Sequence, residues 1–245
     1  IGHQVWMTEN LKATHYSNGD PIQTNLTSID FGSTTEGAYT IYDNNHSNAD
    51  IYGNLYNWYV VDDNRGICPS GWNVPSDDDW HKLGEYLGYQ NNEYYEGAGG
   101  KLKMVGTSHW NSPNQGATNE TNFSALGSGD RNGTSGNFAA LKSAAYFWSS
   151  TEISEEIASY WELYSSNNDL YDWIYGKNNG YSIRCIQNIE GCTHPNASNY
   201  DETANVDDGS CEFETVQIGR QLWMQENLKA THYSNGDPIQ TNLTS

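Results

Sequence analysis

The side chains with the clearest chemistry lie between two cysteines near the end of the chain, in GCTHPNASNYDETANVDDGSC (191–211). Four of them offer hard oxygen ligands: Asp201, Asn205, Asp207 and Asp208. Such ligands at close spacing, with Gly209 to allow a sharp turn, are typical of Ca²⁺ loops, and a bond between Cys192 and Cys211 would hold the ends. We therefore expect Ca²⁺ here. The alternative is a disulfide-closed turn with solvated acids.

The chain contains four cysteines, and no CxxC pair marks a zinc or redox site. Three disulfide pairings are formally possible. Cys192 and Cys211 bracket the acidic loop, which leaves Cys68 for Cys185 near the end of the preceding domain. We expect these two disulfides and, with them, an oxidising extracellular location. Four free thiols in a cytosolic protein are the alternative.

Residue types that serve catalysis form no catalytic pattern. The seven histidines show no HExxH or HxH spacing, and no GxSxG, Walker or GxGxxG sequence occurs. Adjacent acids such as Glu155 and Glu156 would need facing acids in a cleft to hydrolyse a glycosidic bond. The sequence therefore predicts a protein that is not an enzyme.

Aromatic residues suggest a different chemistry, which is stacking on sugar rings. Five stand close together in sequence: Trp161, Tyr164, Tyr171, Trp173 and Tyr175. Strands carry such residues routinely, so packing in the core and between domains is the favoured interpretation. Sugar contact is the alternative, with glycans as the corresponding partner.

Composition restricts the partners. Asp and Glu total 31 against 11 Lys and Arg, a formal net charge of −20. This surface repels phosphate backbones and anionic headgroups, so we expect no nucleic acid partner, and the lack of a run of about 18 apolar residues predicts no membrane insertion. Nine Trp and 18 Tyr, despite a mean hydropathy of −0.79, indicate a folded chain.

The chain repeats its own beginning, because residues 218–245 restate residues 1–28. The two copies differ at three pairs of positions: His3/Arg220, Val5/Leu222 and Thr8/Gln225. The period, 218 − 1 = 217 residues, is the size of a whole domain with its linker. We therefore expect neighbouring copies of the same unit as partners.

Two assemblies are compatible with this repeat, and both give a filament. In a covalent tandem array the second copy opens a following domain. In a donor-strand polymer it adds a strand to a neighbouring subunit. The array is favoured because the first copy already fills that place in its own domain. The predicted assembly segment contains four apolar residues: Ile218, Leu222, Trp223 and Met224.

Helix and strand signals place these groups in a loop-rich α+β domain. The run PSDDDWHKLGEYLG (75–88) predicts a helix that Ser76 caps and an acidic first turn opens. Residues 107–143, rich in Gly, Asn and Ser, predict loops. Strands are predicted at the start of 1–28 and at 99–106, 145–151, 159–165, 170–176 and 181–187.

Six motifs follow one another in a recognisable order: IGHQVWMTENLKA (1–13), GNLYNWY (53–59), CPSGWNVPSDDDW (68–80), GATNETNFSAL (116–126), FWSST (147–151) and YSIRC (181–185). This series resembles the Fibrobacter-type major paralogous domain, a family of secreted bacterial surface domains, over residues 1–188. The resemblance implies a C-type-lectin-like fold in which a Cys68–Cys185 bond ties helix to late strand. C-type lectins hold Ca²⁺ with a Glu-Pro-Asn or Gln-Pro-Asp loop, whereas SPN (112–114) lacks the acid, so calcium-dependent sugar binding is not expected in this domain.

The acidic loop resembles a short cysteine-bracketed repeat of secreted bacterial multidomain proteins. We therefore divide the chain into a domain at 1–188, a disulfide-closed linker repeat at 189–213 and the start of the next copy at 214–245. A calcium-filled linker would stiffen a string of domains. The predicted function is a structural and adhesive protein that forms filaments at the bacterial cell surface. The alternative is a carbohydrate-binding lectin-like module acting through avidity.

Asn-x-Ser/Thr sequons are about as frequent as chance gives. They begin at Asn25, Asn45, Asn119, Asn122, Asn132, Asn196 and Asn242. On a surface filament, we expect glycans at some of them.

Overall fold

A computed structural model of the chain describes residues 1–91, 94–225 and 227. The chain divides into two compact units, Ile1–Gln187 and Asn188–Ser245. The first unit has few helices and many strands, which is the predicted α+β class. Within the described part of the chain, no helix has the length and apolar character needed to cross a membrane. The predicted division of the second unit into a linker repeat and the start of another domain stays a prediction.

The helices of the first unit are short. They are Ser28–Ser33 (α1), His46–Tyr52 (α2), Asp77–Leu87 (α3) and Ala98–Leu102 (α4), with 3₁₀ turns at Tyr42–Asn44 and Trp58–Val60.

Helix α3 begins where the sequence predicts. The Ser76 hydroxyl accepts from the Asp79 amide at 3.2 Å, and Asp79 Oδ2 accepts from the Ser76 amide at 2.9 Å, which completes a capping box. The acidic triplet therefore lies in the first turn, where carboxylates complement the helix dipole. Trp80, Leu83 and Leu87 form the buried face.

The described residues of the first unit form eleven strands: Tyr39–Thr40 (β1), Leu55–Tyr56 (β2), Trp72–Asn73 (β3), Tyr89–Asn91 (β4), Tyr94–Glu96 (β5), Ser128–Arg131 (β6), Phe138–Leu141 (β7), Ala144–Glu152 (β8), Ile157–Tyr164 (β9), Leu170–Gly176 (β10) and Ile186–Gln187 (β11). Seven of them form one sheet in the order β4-β5-β10-β9-β8-β6-β7, antiparallel except where β6 meets β8. The predicted strands at 145–151, 159–165 and 170–176 are β8, β9 and β10.

The two faces of the central strands bury different clusters. Side chains alternate between faces along a strand. Trp161 therefore packs with Trp80 of α3 on one face, while Trp148 packs with Tyr160 and Tyr181 on the other. Helix α3 covers the first face, and loop residues cover part of the second.

Two strand predictions are wrong. Residues 99–106 begin as α4, because Gly99 and Gly100 let the helix lie against the backbone: a Cβ there would come within 2.1 Å of the Asp169 carbonyl oxygen and 2.3 Å of that of Gly116. The first seven residues form no regular strand, and Trp6 makes one isolated bridge with Ile186.

Two further predictions are incomplete. The stretch 107–143, predicted as loops, contains β6 and β7. The run 181–187 reaches regular strand only in β11, after isolated bridges at Tyr181 and Ser182. The run 181–187 pairs with Tyr56 and Asn73, partners distant in sequence that local patterns do not reveal.

The second unit contains short strands. They are Glu190–Gly191 (β12), Val206–Asp207 (β13), Thr215–Ile218 (β14) and Gln221–Met224 (β15). Strand β12, at the start of the acidic loop, pairs in parallel with β13 inside the loop, and β14 and β15 form a hairpin.

Candidate functional site

Both expected disulfides are present. Cys68 bonds to Cys185 across 117 residues with a Cα–Cα distance of 6.0 Å. Cys192 bonds to Cys211 across 19 residues at 4.8 Å. Such bonds are typical of proteins that fold in an oxidising compartment outside the cytoplasm.

The four predicted calcium ligands accept hydrogen bonds, three from within the acidic loop and one from a residue just before it. Asp201 Oδ1 accepts from the amide and hydroxyl of Thr203 at 2.9 and 2.7 Å. Asn205 Oδ1 accepts from the Ile189 amide at 2.7 Å. These bonds shape the loop locally.

The two remaining predicted ligands are exposed and form the same kind of turn. Asp207 Oδ1 accepts from the Gly209 amide at 3.1 Å, and Asp208 Oδ1 from the Ser210 amide at 2.8 Å. Hydrogen bonds from Ser210 lower the pKa of Asp208. Among the described residues, no three His, Cys, Asp or Glu side chains are grouped to hold a metal ion. In this conformation the acids shape turns and do not converge on one point.

The first copy of the repeated segment belongs to the core of the first unit. Trp6 is 8% exposed, with its ring centroid 4.7 Å from that of Trp80 and 5.7 Å from that of Phe123. The Met7 amide donates to the Cys185 carbonyl at 3.0 Å. Packing from distant parts of the chain therefore buries Trp6.

A buried arginine holds the first copy in place. Arg184 Nε and Nη2 donate to Asn10 Oδ1 at 3.1 and 2.5 Å, and Nη1 donates to the carbonyls of Met7 and Phe123 at 3.1 and 2.5 Å. Asn10 in turn donates to the Tyr52 carbonyl at 2.9 Å. Neutral oxygens thus take the place of a carboxylate partner for the guanidinium.

The second copy has the opposite environment. Its described residues are 218–225 and 227, and the four predicted assembly residues are 62%, 70%, 53% and 42% exposed at Ile218, Leu222, Trp223 and Met224. Asn227, the counterpart of Asn10, is also exposed. Trp6 and Asn10 are therefore buried in the first copy, whereas their counterparts Trp223 and Asn227 face solvent in the second.

The five predicted sugar-stacking aromatics divide between the two faces of the sheet. Trp161 is fully buried against α3, which agrees with the favoured core interpretation and excludes it from a sugar-stacking surface. Tyr164, Tyr171, Trp173 and Tyr175 share the other face, because Tyr171 pairs with Glu162, Trp173 with Tyr160 and Tyr175 with Ala158. Tyr94 of β5 joins them opposite Tyr171. We call Tyr94, Tyr164, Tyr171, Trp173 and Tyr175 the β10 aromatic surface.

A carboxylate lies within this surface that sequence reasoning missed. Glu162 is 4% exposed, and its Oε1 accepts from the Tyr164 hydroxyl at 2.6 Å. Burial raises the pKa of Glu162, and hydrogen bonds from Tyr164, Trp173 and Tyr160 oppose the rise. The signal in the sequence is an acid at the alternate position between two tyrosines, in YWELY (160–164).

Comparison with models of protein families identifies the family of the chain. The model of the Fibrobacter succinogenes major domain matches residues 1–187. The chain belongs to this family. Among curated proteins and among solved structures, nothing matches the chain.

The residues that carry the Fibrobacter succinogenes major domain motifs have structural roles in this chain. Asn10 and Arg184 hold the N-terminal segment, Cys68 and Cys185 form the long-range disulfide, and Ser76 caps α3. Family membership favours a surface or structural domain.

The sequons of this family member differ in exposure. Asn25, Asn45, Asn122 and Asn196 are exposed, whereas Asn119 and Asn132 are half-buried. The Asn119 side chain also bonds Ser124, and that of Asn132 accepts from Ser135. Asn242 lies outside the described residues. Glycan attachment at the exposed sequons stays a prediction.

Proposed function

We propose that the protein is an extracellular structural and adhesive protein. In this proposal, lectin-like domains repeat head to tail at the bacterial cell surface and form a filament, with Ca²⁺ stabilising the acidic, disulfide-closed linkers. The main support for the proposal is the difference in burial between the two copies of the repeated segment. Trp6 of the first copy is 8% exposed, and its counterpart Trp223 is 53% exposed.

The physical argument is the hydrophobic effect. Burying a large apolar side chain stabilises a fold by about 1.5–3 kcal/mol. The second copy therefore has a strong tendency to acquire the surroundings of the first: a counterpart of Trp80 and of Arg184 from another domain copy. A covalent array provides these in the following domain without displacing the first copy of any domain.

Electrophoresis of the assembled material tests the array. Electron microscopy should show rods, and denaturing, reducing gels after chelation should show a very large band or a ladder of high-mass species. A single band near 27.4 kDa would support non-covalent donor-strand assembly instead. Material with neither rods nor higher-order species would overturn the filament.

Calcium is the second part of the proposal, and the oxygen ligands within a 19-residue disulfide loop support it. Binding would require the acids to reorient from their present turns. We expect Ca²⁺ to raise the melting temperature of the second unit and to stiffen the rods. The double variant Asp207→Asn/Asp208→Asn should abolish the effect, whereas Glu202→Gln, an exposed acid of the same loop, should retain it. Rods and melting curves unchanged by excess chelator would count against calcium.

Carbohydrate binding is the second candidate function, and the half-exposed aromatic rings beside Glu162 favour it. Weak sites repeated along a filament act together, so each domain needs only low affinity.

A further inference from the structure

We propose that the β10 aromatic surface is a binding site for a neutral saccharide chain, in which the rings stack on sugar faces and polar groups at their edges bond sugar hydroxyls. The inference specifies the ligand class and the residues of the second candidate function. It does not depend on the filament or on calcium.

Three of the five rings, Tyr94, Tyr164 and Tyr171, are held in place before any ligand arrives. The Tyr164 hydroxyl donates to Glu162 at 2.6 Å, and Tyr171 receives a bond from Asn167 Nδ2 at 3.2 Å. Asn91 Nδ2 donates to the Tyr94 hydroxyl at 2.7 Å. Ring centroids lie 5.3 Å apart for Tyr94–Tyr171 and 5.8 Å for Tyr164–Tyr171. Fixed side chains lose little conformational entropy on binding, which favours affinity.

The surface extends along β10 beyond its pairing with β5. Within the described residues, β5 pairs with Leu170 and Tyr171, and β10 runs on along β9 through Trp173 and Tyr175. These two rings are 41% and 50% exposed and stand two residues apart on the same face. Stacking area is therefore available along an elongated strip, which suits a chain of sugar units better than a single small molecule.

The polar groups select the ligand chemistry. The Tyr164 hydroxyl donates to Glu162 Oε1, and the neutral donors Trp173 and Tyr160 also act to lower the pKa of this carboxyl. The Tyr171 hydroxyl accepts a hydrogen bond from Asn167 and donates one to Asp169 Oδ2 at 3.3 Å. Carboxylate and amide oxygens beside aromatic faces match the alternating C–H faces and hydroxyl edges of a sugar ring. The net charge of −20 disfavours an anionic ligand.

Calorimetric titration of the full 245-residue chain tests the site, in buffer with EDTA. The probes are neutral hexasaccharides of β-1,4-linked glucose, xylose and mannose, and a sulfated oligosaccharide serves as the anionic comparison. We expect binding of at least one neutral hexasaccharide and none of the sulfated one. Trp173→Ala should weaken binding at least tenfold, and Tyr175→Ala should weaken it less.

Ile174→Ala is the matched control. Ile174 lies between these two residues, is 52% exposed and points to the opposite face. Its replacement should leave affinity unchanged. Three results would overturn the site: no binding of any neutral hexasaccharide at millimolar concentration, equal losses in Trp173→Ala and Ile174→Ala, or binding that appears only with Ca²⁺. Self-association of the chain lost in Trp173→Ala, without sugar binding, would assign the surface to a second copy instead.

The two proposals fail separately. Sugar binding by a chain whose assembled form shows no rods would overturn the filament alone. Rods without sugar binding would overturn this site alone.

Discussion

At the scale of single residues, neutral oxygens stabilise two buried cations, Lys103 and Arg184. Lys103 is fully buried, and its Nζ donates to the backbone carbonyls of Gln115, Tyr164 and Asn167 at 3.0, 2.7 and 2.5 Å. Burial lowers the pKa of Lys103 to about 8. Arg184 follows the same pattern with Asn10. Each cation joins loops distant in sequence, so these residues organise the loop-rich part of the fold.

The half-buried acid Asp130 gives the first prediction. Burial raises the pKa of Asp130 to about 6, above the ordinary value of 3.8. The folded state then binds more protons than the unfolded state between pH 4 and 6, so this contribution to stability falls as pH rises through that window. Asp130→Asn should therefore flatten the pH dependence there and stabilise the fold by about 1 kcal/mol at pH 7.

Urea unfolding at several pH values measures this effect. The exposed acid Asp50, changed to Asn, is the control and should leave the pH profile unchanged. A profile in Asp130→Asn that matches the unmodified chain would contradict the prediction.

At the scale of elements, the strength of local signals decided which predictions held. Helix α3 carries a capping residue, an acidic first turn and an apolar face, and it forms where predicted. Strands β8, β9 and β10 carry dense aromatic runs and also form where predicted. Helix α4 was predicted as a strand because its two glycines are poor helix formers. Their role is visible only in the tertiary structure, where the backbone of Asp169 and Gly116 lies too close for a side chain.

The capping box of α3 gives the second prediction. Ser76→Ala removes the side-chain acceptor of the Asp79 amide and should lower the free energy of unfolding by about 1 kcal/mol. Ser76→Thr keeps a hydroxyl at the same place and should lose much less. Thermal or urea unfolding of the three proteins measures the difference. Equal losses in both variants would mean that the hydroxyl does not stabilise the helix.

At the scale of the whole molecule, the tryptophan of the repeated segment is buried in one copy and exposed in the other. This difference gives the third prediction. Trp6→Ala removes a ring that packs with Trp80 and Phe123, so it should destabilise the first unit by about 3–5 kcal/mol. Trp223→Ala removes an exposed ring from the 245-residue chain and should change the unfolding of the first unit by less than about 0.5 kcal/mol.

Urea unfolding of the monomeric chain at low concentration measures both variants. A large loss in Trp223→Ala would indicate that the second copy already replaces the first copy in a folded domain. That outcome would favour donor-strand exchange over the covalent array.

The sequence by itself determined the local features. The turn Ile-Gly-x-Gln forms in both copies, with Gly2 at φ +60° and Gly219 at φ +64°, because glycine adopts this conformation without strain. The cysteine spacing likewise led to both disulfides. Only the tertiary structure decided that Trp6 is core and Trp223 exposed, and that Trp161 is buried while Trp173 faces solvent. Turns and caps depend on neighbours along the chain, whereas burial depends on partners such as Trp80 and Arg184, which arrive from distant parts of it.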